Sequence, residues 1–209
     1  DLKPFDFRVS RVTSISADTH KYGYTNKGSS LILYVNNEWR KHQIFVDSQW
    51  MGGIYATPSI AGSRPGEIVA ITNFTMKYIG SNLYKERAQR IVNLAQQMKK
   101  IIERIPELKL LGNVDAMVVA FTSEKPHIFN IKTEMTERGW YLSGIQYPNG
   151  VHFCVTAVHI EVENFCEIFE KDLIDSINAS RNKKDSSERK MYRSNQGFGI
   201  REFAPDIIK

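Results

Sequence analysis

Between residues 83 and 105, Ile91, Leu94, Met98, Ile101 and Ile105 recur at steps of three and four, and Pro106 follows them. That spacing stacks the apolar side chains on one face of an α-helix. Proline ends the run, because its ring removes an amide donor and collides with the preceding turn. A helix with one apolar stripe is stable mainly through whatever covers the stripe, so the rest of the chain must supply a packing partner. On the N-terminal side, residues 12–16 alternate like a strand and 31–35 are dense in β-formers. Residues 65–80 read as a helix opened by Pro65. Beyond Pro106, residues 116–121 read as a buried strand and 127–138 as a helix stopped at Gly139. Residues 139–146 and 151–157 read as strands joined across Pro148-Asn149-Gly150, and 164–177 as a closing amphipathic helix. Strands interleaved with helices make the chain α/β, with a small α+β layer at its C-terminal end. The expected organisation is residues 1–100 as one unit, 101–179 as a second, and 180–209 as a tail. No internal repeat is visible.

Hydrophobic content of 42% and aromatic content of 11% are ordinary for a globular protein. No apolar run approaches the roughly 20 residues that a spanning helix requires. The opening DLKPFDFRVSRVTS lacks the basic-then-apolar order of a secretory leader. Two cysteines, Cys154 and Cys166, make no disulfide framework, which favours a reducing, intracellular setting. Much of the net charge of +5 sits in residues 180–201. Acidic residues interrupt that basic run and no nucleic-acid motif accompanies it. A solvated extension is therefore the simpler reading, and no nucleic-acid partner is expected.

The run SADTHKYGYTNKGSS, residues 16–30, concentrates groups that can handle an anion. Lys21 follows His20. Gly23 and Gly28 let a backbone approach closely, Ser29 and Ser30 offer hydroxyls, and Lys27 adds a second cation. A lysine works as a nucleophile only when it is held rigidly and can lose its proton. Alone, the run reads more readily as a solvated loop. A second cluster, His152, Cys154, Thr156 and His159, invites a metal reading. Alternation puts the first three on one strand face, but ligands from further elements are not evident, so packing is preferred and no metal is expected.

Residues 16–30 together with GGIYATPSIAGSRPG (52–66) and GWYLSGIQYPNGVHFCVTAVH (139–159) resemble the pyridoxal-phosphate-dependent sphingosine-1-phosphate lyases. More distantly they resemble the aromatic and glutamate decarboxylases of the same group. The three segments occur in the family's order and spacing, and the likeness runs from Phe5 to about Ile177. It implies the C-terminal part of the large domain of a fold-type-I pyridoxal phosphate enzyme, followed by the small C-terminal domain. It also implies that Lys21 is the Schiff-base lysine, that His20 lies beside the cofactor phosphate, and that Lys27 receives the substrate phosphate. Tyr55 would line the active site, able to bind the substrate phosphate or help move a proton. Gly62 and Ser63 would reach the cofactor phosphate of a second subunit, which makes the expected assembly a homodimer with composite sites.

The implied reaction is retro-aldol cleavage of a phosphorylated sphingoid base to a long-chain aldehyde and phosphoethanolamine. The implied setting is cytoplasmic, or the cytosolic face of the endoplasmic reticulum if an anchor lies upstream, with association at a membrane surface for lipid access. The rival readings are an amino-acid decarboxylase with the same cofactor and a non-catalytic dimerising fragment. Two departures stand out. Asn26 precedes Lys27 where the family commonly has proline, and Glu67 follows Gly66 where a small residue is commoner. Neither removes a proposed functional group.

Overall fold

The computed structural model describes residues 3–181 and 183. The chain divides into two compact units, Asp1–Glu86 and Arg87–Lys209.

The first unit is built from two small hairpins and the opening of a long helix. Strand β1 (Ser14–Ala17) pairs antiparallel with β2 (Leu31–Tyr34), with Ala17 opposite Leu31. The strand expected from residue 12 starts at Ser14. A turn closed by Val12 N–H donating to the Val9 carbonyl, with Arg11 at positive φ, occupies the preceding residues. A short helix α1 (Asn37–Arg40) is capped by the Asn36 side chain, which accepts from the Trp39 amide. It leads to the second hairpin, β3 (Phe45–Asp47) with β4 (Tyr55–Thr57). Among the described residues of this unit only Thr19 and Thr25 are buried. Leu31, Leu33, Phe45, Trp50, Phe74 and Tyr78 are all exposed. The described residues of this unit therefore form no apolar core of their own.

Helix α2 (Gly66–Arg104) starts with Glu67 in its first turn, where an acid complements the positive end of the helix dipole. It is interrupted at Gly80, whose φ of 72° and ψ of 159° are not helical. Residues 65–80 and 83–105, read as two helices, thus follow one another across a glycine break.

The second unit has the core. Strands β5 (Lys109–Leu110), β6 (Val118–Thr122), β7 (Ser143–Ile145) and β8 (Gly150–Cys154) form an antiparallel sheet in the order β5-β6-β8-β7. Val119 opposes Phe153 and Phe121 opposes Val151. All four are buried, while Val118 and Cys154 on the other face are exposed. The period of two along each strand makes this division. Helices α3 (Ile128–Glu137) and α4 (Phe165–Ser180) add Phe129, Ile131, Met135, Phe169 and Leu173 to the core, and the second stretch of α2 adds Ile91, Met98 and Ile102. Trp140 makes edge contacts with Phe165 and Phe169 at centroid distances of 5.3 and 5.1 Å. Its indole N–H is satisfied by Asp172 Oδ2 at 2.8 Å.

The strand read over residues 139–146 is shorter than expected. Gly139 adopts φ 90°, and the Trp140 amide donates back to the Met135 carbonyl, closing the end of α3. The sheet cannot begin until that turn is complete. The tail read over residues 180–209 lies largely outside the described residues.

Candidate active site

Lys21 sits in a closed loop immediately after β1. The loop is tied at its base, where Thr25 N–H donates to the Thr19 carbonyl, and Lys21 N–H donates to the Asp18 carbonyl. Thr19 is buried, and its hydroxyl is hydrogen-bonded to the Ser29 hydroxyl and to the Ser29 carbonyl. Ser29 Oγ continues to Thr72 Oγ1 on α2 at 3.1 Å. Tyr84, further along the same helix, donates to the Gly23 carbonyl. A Cβ at Gly23 would lie 2.4 Å from the Thr19 carbonyl oxygen, so the loop closes this tightly only with glycine there. Gly28 has φ 107° and faces Ile68 on the first turns of α2, where a Cβ would come within 2.8 Å of Cδ1. The loop's own hydrogen bonds and its contacts with α2 thus hold the backbone around Lys21 and Lys27.

The charged groups of the loop are arranged around Asp18. Its Oδ2 is 2.9 Å from Lys21 Nζ, and its Oδ1 accepts from Ser30 Oγ at 2.9 Å. The hydrogen bond from Lys21, followed by that from Ser30, holds the Asp18 carboxyl below its ordinary range. His20 Nδ1 is buried without a hydrogen-bond partner among the described residues. A buried ring nitrogen with no partner costs free energy unless another group meets it. A bound phosphate would satisfy it, as would a further protein group.

Lys27 is exposed in the same loop. The other expected site residues lie elsewhere in this unit. Tyr55 opens β4, opposite Asp47, with its ring edge-on to Trp50 at 5.9 Å, and is half-exposed. Gly62 and Ser63 are exposed in the turn before α2, where Gly62 has φ 64°. That turn is held by the Thr57 hydroxyl, which donates to the Ser59 carbonyl, and by the Gly62 amide, which donates to the same carbonyl. The structure groups His20, Lys21 and Lys27 in one loop and puts Tyr55 and Gly62-Ser63 on separate segments.

Asp18, Thr19, Thr72 and Tyr84 were not singled out by the sequence reading. Asp18 carried a usable signal, a carboxylate three residues before a candidate nucleophile. Thr72 and Tyr84 carried none, because their contacts join residues 43 and 61 positions apart.

In the second unit His152 and Cys154 line a cleft of about 690 Å³ with Trp140, Tyr141 and Val158. His159 packs against Phe153 and Phe165 at 4.7 and 5.5 Å. Its Nδ1 accepts from the Thr156 amide at 2.9 Å, and burial pushes its pKa below the ordinary value. These are the contacts of a packed aromatic cluster.

No protein-family model matches the chain. Over 175 residues, 84% of its length, it is 45% identical to a sphingosine-1-phosphate lyase of Rattus norvegicus and covers 31% of that protein. A solved sphingosine-1-phosphate lyase of Burkholderia pseudomallei is 38% identical, with a TM-score of 0.77 over 85% of this chain and 40% of its own. A solved glutamate decarboxylase of Lactobacillus brevis shares the fold at 17% identity, with a TM-score of 0.66 over 87% of this chain and 44% of its own. The fold is α/β, of the fold-type-I kind expected from the sequence. The chain spans about a third of the length of the curated relatives it matches.

Proposed function

We propose that this chain, a relative of the sphingosine-1-phosphate lyases, carries the lysine-bearing segment and small domain of a pyridoxal-phosphate-dependent carbon–carbon lyase. The single observation behind this reading is 45% identity over 84% of the chain. The loop around Lys21 fits the cofactor. It presents an amine on a backbone held from both sides, and beside it a buried ring nitrogen without a partner among the described residues. When bound, pyridoxal phosphate supplies an electron sink for the carbon–carbon cleavage.

The chain's own residues have separate tasks. Lys21 would hold the cofactor through its amine. His20 would help hold the cofactor phosphate. Lys27 offers a point charge with adaptable donors to the phosphate of a phosphorylated sphingoid base. Tyr55 adds a phenol donor to that phosphate. The exposed Gly62-Ser63 turn reaches a neighbouring subunit's cofactor phosphate, so the working form is a homodimer. The products are a long-chain aldehyde and phosphoethanolamine.

The enzyme meets its lipid at a membrane surface inside the cell. Among the described residues no helix is long and apolar enough to cross a membrane.

The test uses the full-length protein. It should turn over a phosphorylated sphingoid base only with pyridoxal phosphate, and borohydride reduction should leave a pyridoxyl group on the peptide containing Lys21. Release of carbon dioxide from an amino acid, without cleavage of the lipid, would overturn the reading in favour of a decarboxylase.

A further inference from the structure

We propose that Asp18 is a positioning residue for Lys21, holding its ammonium group in an ion pair that must break before the amine captures the cofactor. The inference rests on the functional reading above. Two contacts make the pair more than an incidental meeting of surface charges. Ser30 Oγ donates to Oδ1 at 2.9 Å, which fixes the carboxylate plane and leaves Oδ2 aimed at Lys21 Nζ, also 2.9 Å away. The backbone repeats the connection, because Lys21 N–H donates to the Asp18 carbonyl. The lysine side chain is 63% exposed, so packing restrains it little and the ion pair with the carboxylate is its fixed polar contact.

An ammonium group has no lone pair with which to attack an aldehyde. Capture therefore requires the Asp18–Lys21 pair to separate and the ammonium to give one proton to water. The amine then condenses with the cofactor aldehyde, forming one carbon–nitrogen double bond and releasing one water. Asp18 keeps the nucleophile oriented beside the cofactor site, at the cost of slowing this first step.

The experiment follows capture of pyridoxal phosphate by the cofactor-free full-length protein, using stopped-flow absorbance. Wild type is compared with Asp18→Asn, Asp18→Glu and Ser30→Ala. Asparagine keeps the shape and the acceptor for Ser30 but removes the charge. It should capture the cofactor about two- to fivefold faster, the range of a solvent-accessible ion pair. Asp18→Glu should stay near wild type, and Ser30→Ala should lie between it and Asp18→Asn. The ratio of variant to wild-type rate should fall toward one as salt is raised. It should be the same for pyridoxal, which lacks the phosphate. A ratio seen only with pyridoxal phosphate would mean that Asp18 repels the anion, and would overturn the proposal. Equal or slower capture by Asp18→Asn would overturn it too, while leaving the functional reading intact if wild-type Lys21 is labelled. Absence of label on wild-type Lys21 would overturn both.

Discussion

The hydroxyl of Tyr84 donates a 2.7 Å hydrogen bond to the carbonyl oxygen of Gly23, and its ring lies 6.0 Å from that of Tyr24 at an interplanar angle of 9°. Helix α2 thus holds the far side of the lysine loop. Tyr84→Phe keeps the stacked ring and removes the hydrogen bond. It should weaken cofactor retention about two- to tenfold, from a net hydrogen-bond contribution of about 0.5–1.5 kcal/mol. Gly23→Ala should have the larger effect, since its Cβ would sit 2.4 Å from the Thr19 carbonyl oxygen. Absorbance titration of the full-length protein with pyridoxal phosphate measures both. Equal retention in Gly23→Ala would show that the loop tolerates reshaping.

Lys21→Ala should abolish turnover and borohydride labelling together. Some cofactor should remain, held through the phosphate by groups such as His20. Arginine at position 21 should fail as completely, because a guanidinium stays charged at any pH an enzyme meets. Peptide mapping after reduction decides the point, and label on another lysine would reassign the nucleophile.

Lys27→Ala should reduce efficiency toward the phosphorylated lipid by about one to two powers of ten, as expected for a charge-assisted hydrogen bond of about 1.5–3 kcal/mol. Cofactor absorbance should change little. Tyr55→Phe should act in the same direction and more weakly. Comparison of phosphorylated and free sphingoid bases provides the check. Equal losses on both substrates would remove Lys27 from the phosphate site and with it the best discriminator against a decarboxylase.

Ser63→Ala subunits mixed with Lys21→Ala subunits should recover activity if the Gly62-Ser63 turn acts on the neighbouring subunit. In a mixed dimer one composite site then has both intact groups, and the other has neither. Activity that stays at the level of the separate mutants would place Ser63 in its own subunit's site.

Glu134 is buried and forms ion pairs with Arg138, at 3.0 Å, and with Lys183. The hydrogen bond from Lys183, against the opposing effect of burial and with help from Arg138, holds its pKa below the ordinary 4.5. A folded-state pKa below the unfolded one adds stability that is present above the unfolded value and is lost as pH falls through the folded one. Glu134→Gln should therefore destabilise the second unit by about 1–2 kcal/mol at neutral pH. The gap from wild type should close as pH drops below about 4. Denaturant unfolding at pH 7 and pH 3.5 tests this, and a gap unchanged between the two would show that the ion pairs contribute nothing net.

The stripe Ile91, Leu94, Met98 and Ile101 determined the main helix of the second unit, and Pro106 and Gly139 marked two of the stops. The alternation in residues 151–155 determined which face of β8 is buried. Such features are legible because periodicity and glycine or proline chemistry act within a few residues. The loop around Lys21 is one continuous run, but the role proposed for Lys21 came from the resemblance and not from that run alone.

Tertiary structure alone decided the rest. Strands β3, β4 and β5 have three, three and two residues, too few for a period to register, and exist through the partners they pair with. The strand expected from residue 139 gave way to the turn that brings Trp140 against Phe169 and Asp172. The carboxylate of Asp18 is held by Ser30, from the far side of the loop. Thr72 and Tyr84 joined the site through contacts across 43 and 61 residues of chain. Hydrogen bonds of that kind depend on where two backbones meet in space, which no local pattern of side chains encodes.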